Sequence, residues 1–167
     1  MDQQSPVIEQ VPFGAHFDYP ADQPLTPYER ERRDLLTRYG RFAQERGRMI
    51  ESYLIRPPGA TDQLVVELFD ATNAQLVVTC ATLQRDNGGW GVWYAIGTVA
   101  DLARFLPSPT RNILVLPTAP DSDLDGLCTV RSITPVWPAD DTDTFTSHQA
   151  QARSREPLFY PNGEPSL

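Results

Sequence analysis

Leu64-Val65-Val66-Glu67-Leu68-Phe69-Asp70-Ala71-Thr72-Asn73-Ala74-Gln75-Leu76-Val77-Val78-Thr79-Cys80-Ala81-Thr82-Leu83 decides the fold. Two runs rich in Val and Leu, Leu64–Phe69 and Gln75–Leu83, flank the short turn Asp70–Ala74, which is a strand–turn–strand pattern. The second run is apolar at Leu76, Val78 and Cys80 and again at Val77 and Ala81. Apolar residues on both faces are the mark of a central strand covered on two sides. Arg85-Asp86-Asn87-Gly88-Gly89 then carries a hairpin signal, and Trp90–Ile96 reads as the returning strand.

Upstream, Thr26-Pro27-Tyr28-Glu29 is a capping box with Pro at the first helical position, so a helix starts sharply there. Leu35, Tyr39, Phe42, Met49 and Tyr53 recur at steps of a helical stripe. Two readings of its end stay open. Either the helix runs on, or it stops near Gly47 and Arg48–Arg56 forms a first strand; a mid-helix glycine costs nearly 1 kcal/mol, which favours the stop. Pro57-Pro58-Gly59 closes the segment in both.

Downstream, Thr98-Val99-Ala100-Asp101 opens a short second helix with an apolar stripe at Val99, Leu102, Phe105 and Leu106, stopped by Pro107. A strand at Asn112–Leu116, an acidic loop at Asp121–Gly126 and a strand at Leu127–Val136 follow. The expectation is an α+β fold: an antiparallel sheet of about five strands, one long N-terminal helix and one short helix. Residues 26–138 form its single domain. Residues 1–25 and 139–167 are extended polar arms, each with an aromatic–Pro cluster. The element order is similar to that of small acidic secretion chaperones, a likeness of order alone.

The chain has 167 residues, enough for one domain with a real core. Its net charge is -8, and all fourteen basic residues are Arg. A negative molecule repels phosphate backbones, so nucleic-acid binding is not expected. The seven Arg of Glu29–Arg48 alternate with Glu29, Glu31, Asp34 and Glu45, which reads as a solvated, self-paired helix face. Without Lys there is no Schiff-base amine and no P-loop lysine. No apolar run approaches a membrane span, and Met1-Asp2-Gln3-Gln4 lacks the pattern of a secretory signal. The expected location is cytoplasmic, or a virion if the source is viral.

Catalytic supply is thin, and no enzyme is expected. The histidines, His16 and His148, both fall in the arms, and Gly-x-Ser-x-Gly is absent. Cys80 and Cys128 sit in apolar runs and read as small buried hydrophobes, their pairing left open. Glu67, Asp70 and Asp86, near strand ends, read as solvated carboxylates. The Asp86–Tyr94 stretch, with glycines beside three large aromatics, has the makings of a stacking platform for a sugar or base, but a hairpin turn beside core aromatics explains it. No cofactor is expected, with one candidate exception. Asp121, Asp123 and Asp125 match the first half of a calcium loop, but the residue twelfth from Asp121 is Ser132 rather than the Glu that an EF-hand requires.

The arms carry the leading expectation. Phe13, Phe17 and Tyr19 on one side and Phe159 and Tyr160 on the other are aromatic anchors in Pro-stiffened segments, the chemistry of protein–protein hot spots. The reading is a non-enzymatic assembly subunit, of a virion or a cellular machine, with protein partners that include further copies of itself. The alternatives are a small acidic chaperone-like or adaptor module, and an enzyme or binding protein with a calcium or carboxylate site at 121–126.

Overall fold

The structure is a computed structural model that describes residues 5–15, 24–83, 91–106, 111–139 and 143–150. Among these, seven strands form one sheet in sequential order. They are β1 (Val7–Val11), β2 (Ile50–Arg56), β3 (Leu64–Asp70), β4 (Gln75–Thr79), β5 (Arg111–Val115), β6 (Ile133–Pro138) and β7 (Phe145–Thr146). Three helices intervene: α1 (Pro27–Gln44), α2 (Val92–Ala103) and α3 (Ser122–Val130). Strands β1 to β4 pair antiparallel, β4–β5–β6 pair parallel, and β7 returns antiparallel. The expected all-antiparallel sheet of about five strands is therefore corrected to a seven-stranded mixed sheet.

Two misread segments explain the difference. Trp90–Ile96 was expected as a strand, but Val92–Ile96 lies in α2. Val92, Ala95, Ile96, Val99 and Leu102 are all buried, at helical spacing. Burial of that stripe outweighs the weak helix preference of Val, Trp, Tyr and Ile. The Asp121–Gly126 stretch is not a loop but the start of α3, with Leu124 and Cys128 buried one turn apart. The strand expected at Leu127–Val136 begins only at Ile133, after a turn in which Ser132 takes a φ of 55°. Helix α2 thus bridges the parallel pair β4–β5 and α3 the parallel pair β5–β6, connections that a tight hairpin cannot make.

The sheet is covered on both faces. Helix α1 packs Leu35, Leu36, Tyr39 and Phe42 on Leu68, Val77, Ile113 and Val115. Helices α2 and α3 pack Val92, Val99, Leu102, Leu124 and Cys128 on Val66, Phe69, Leu76, Val78 and Leu114. The two-sided apolar pattern of β4 matches this three-layer arrangement. The capping box is present: the Thr26 side chain accepts from the Glu29 amide, and Glu29 accepts from the Thr26 amide. The helix ends at Gln44, and Gly47, at φ 72°, turns the chain into β2.

Val7–Val11, read as part of an extended arm, is the edge strand of the sheet. Phe13 follows it and packs against the α1 core. A methyl group at Gly40 would stand 2.7 Å from the Phe13 ring, so glycine is what lets the ring seat on the helix. In otherwise wild-type protein, Gly40→Ala should lose most of the ~1 kcal/mol that a helical Gly-to-Ala change normally gains. In a Phe13→Ala background the full gain should return. Denaturant midpoints in a double-mutant cycle read this coupling.

Candidate functional site

The sheet is interrupted between β3 and β4. Pairing of β2 with β3 passes from Glu51↔Phe69 to Tyr53↔Val66, two residues on one strand against three on the other. Glu67 and Leu68 therefore lie together opposite Ser52, a β-bulge, and the Ser52 hydroxyl donates to the Glu67 carbonyl at 2.7 Å. The extra residue flips the alternation. Val66 and Phe69 face α2, while both Glu67 and Leu68 face α1. The β3–β4 register stops at Leu68↔Val77, and Val78 and Thr79 pair only with β5. The sheet forks there.

Arg32 closes the fork. Its guanidinium donates through Nη2 to Glu67 Oε1 at 2.6 Å, through Nη1 to Glu67 Oε2, and through Nη1 to Thr79 Oγ1 at 3.4 Å. One side chain of α1 so ties β3 to β4 where the backbone ladder has ended. Arg32 is 5% exposed. At the same end, the Tyr28 hydroxyl accepts from the Ala81 amide at 3.3 Å. Burial is the main cause that raises the Tyr28 phenol above its ordinary pKa.

A cleft of about 350 Å³ follows the fork. Arg32, Arg33, Val65, Glu67 and Val77 line it from the α1 layer, and Tyr94, Thr98, Asp101 and Leu102 from α2. Tyr94 is about half exposed at its rim, and its neighbour Trp93 is equally exposed on α2 outside the cleft lining. Arg32 was expected in a solvated helix face and Glu67 as a solvated strand-end carboxylate; both are corrected. Tyr28, Arg32, Leu35, Leu36 and Tyr39 share one stripe of α1, which is the signal that Arg32 turns inward. Asp70 is fully buried as well. It accepts from the Asn73 amide at 3.2 Å and side chain at 2.8 Å, holding the β3–β4 turn, and faces Arg48 at 3.5 Å.

The candidate metal ligands are not arranged as a loop. Asp121 is the N-cap of α3, and its Oδ1 accepts from the Leu124 amide at 2.7 Å. Asp123 and Asp125 lie in the first helical turn, where carboxylates favour the positive end of the helix dipole. Two residues of helix separate their directions by about 200°. Among the described residues no group of three His, Cys, Asp or Glu side chains is placed to hold a metal. His148 lies on Trp137, ring centroids 4.8 Å apart, with Nε2 3.9 Å from Asp125 Oδ1.

Cys80 and Cys128 are free and buried. Burial pushes their thiols up, to about 12 and about 11. Of the aromatic anchors expected in the arms, Phe13 is packed on the domain. Phe17, Tyr19, Phe159 and Tyr160 lie outside the described residues, as do Asp86 and the hairpin signal at 85–89. No helix among the described residues is long and apolar enough to cross a membrane. Comparison with protein-family models, with curated proteins and with solved structures found no match.

Two measurements test this geometry. Glu67→Ala should cost about 3 kcal/mol, because it strands a buried guanidinium, whereas Arg32→Met with Glu67→Leu should cost much less; urea unfolding reads both. Asp121→Ala should cost about 1 kcal/mol as a lost cap. Millimolar calcium should shift the melting temperature of neither the wild type nor this variant.

Proposed function

We propose that this chain is a non-enzymatic subunit that docks on other proteins. The observation that carries the reading is an open cleft in which the carboxylate of Glu67 is bound to Arg32, in a domain whose other buried reactive groups are committed or protonated. Glu67 spends both oxygens on Arg32, Asp70 is committed to the turn, and the thiols of Cys80 and Cys128 stay protonated at neutral pH. A general base must reach a substrate proton, whereas the Glu67 carboxylate is turned onto Arg32, and a thiol nucleophile needs the thiolate. These groups serve the fold. The exposed surface of α2, by contrast, presents Tyr94 at the cleft and Trp93 beside it, large and amphipathic residues of the kind that anchor interfaces.

Phe17, Tyr19, Phe159 and Tyr160, which lie outside the described residues, are the further aromatic anchors of this reading by residue type, while Phe13 packs on the domain. The chaperone-like or adaptor reading stands second. It is favoured by the apolar walls of the cleft, Leu64, Val65, Val77, Val78 and Leu102. Helices cover both faces of the sheet, so a client would have to enter at that cleft or at a sheet edge.

Native size decides between the readings. A tagged chain recovered from its own cells should elute, by size exclusion with light scattering, well above the mass of one chain. Trp93→Ser with Tyr94→Ser, or removal of residues 157–167, should release it. Recovery of wild type as a single chain, or full assembly of both variants, would overturn the proposal.

A further inference from the structure

The sheet ends differently on its two sides. Strand β7 is two residues long and offers little backbone to a neighbour. Strand β1 offers five residues, and its outer side meets no other described strand. Proteins usually blunt such an edge with Lys, Pro or a bulge. Here the prolines, Pro6 and Pro12, stand only at the two ends, and the ladder between them is regular.

Register assigns the side chains. Val7, Glu9 and Val11 continue the rows of Arg56, Leu54 and Ser52 on the α1 face, and Ile8 and Gln10 continue Ile55 and Tyr53 on the other. Val7 is 63% exposed and Ile8 44%. Arg56 stands opposite Val7, and no ion pair joins it to Glu9 among the described residues.

The geometry points to β1 as the docking edge for an extended segment of a different protein, with a basic residue opposite Glu9 and apolar residues opposite Val7 and Ile8. Main-chain hydrogen bonds supply the affinity of such strand addition, and alternate side chains its specificity. Charge argues against a second copy as the occupant. Full-register pairing of two β1 strands sets Glu9 against Glu9, and like charges directly opposite are destabilising. Two chains of net charge -8 also repel as whole bodies. This inference rests on the reading of the chain as a protein-docking subunit and names the partner's chemistry.

The probe is the peptide acetyl-Ser-Val-Thr-Lys-Val-Val-Ser-amide, titrated into the full nitrogen-15-labelled chain. Saturable amide shifts should be confined to Val7–Val11 and the facing β2 residues. Replacing the peptide's Lys by Glu should weaken binding about fivefold, and Glu9→Lys should reverse that preference. No shift at β1 at millimolar peptide, or equal binding of both peptides, would overturn the inference. So would a dimer that Ile8→Lys dissolves, since the edge would then belong to a second copy. A chain that assembles in its cells yet ignores both peptides sinks the edge alone. One that takes the basic peptide yet is always recovered single sinks the assembly reading alone.

Discussion

The guanidinium of Arg32 holds the molecule together where its backbone stops doing so. The bulge at Glu67-Leu68 ends the ladder between β3 and β4, and three hydrogen bonds from one buried side chain replace it. That bridge ties α1 to both strands at once. It also sits where the antiparallel half of the sheet gives way to the parallel half, since β4 pairs antiparallel with β3 and parallel with β5. A charge this deep is tolerable only when a counter-charge is bound to it. The bulge, by aiming Glu67 at α1, supplies the partner.

The same constraint shapes the surface. A continuous ladder from β3 to β4 would leave no gap between the strands. The fork opens a cleft reached from both helical layers, walled by aliphatic side chains and floored by an ion pair already satisfied. Glu67 is held by Arg32 at its floor, and Tyr94 stands half exposed at its rim. The exposed edge of β1 has a different character, since what it offers is mainly backbone. Phe13, seated over Gly40, fixes the chain just beyond that edge and so keeps the strand presented.

Local signals were legible wherever local chemistry was sufficient. The capping box at Thr26–Glu29, the strand at Leu64–Phe69 and the two-sided burial of β4 follow from residue types and spacing, whereas the strand expected at Gln75–Leu83 ends at Thr79 and the helix stop near Gly47 is one of two readings that spacing allows. The parallel half is not legible locally because Val92–Ile96 has a strand's composition and a helix's spacing, and only its burial against the sheet chooses between them. At Asp121–Asp125 a row of alternating carboxylates looked like a metal loop. The same row serves equally as a capped first turn, and only Leu124 and Cys128, buried together, choose between them.

Neighbouring residues alone set which central segments bury apolar surface, where the first helix starts, and that the chain is acidic without lysine, and they leave the end of that helix open between two readings. Only the tertiary structure decided the parallel pairing of β4, β5 and β6, the inward turn of Arg32 and the edge position of β1. Arg32 and Glu67 are thirty-five positions apart, and no local pattern records their meeting. A bulge and a helix stripe, each unremarkable alone, become a bridge only when long-range packing brings them face to face.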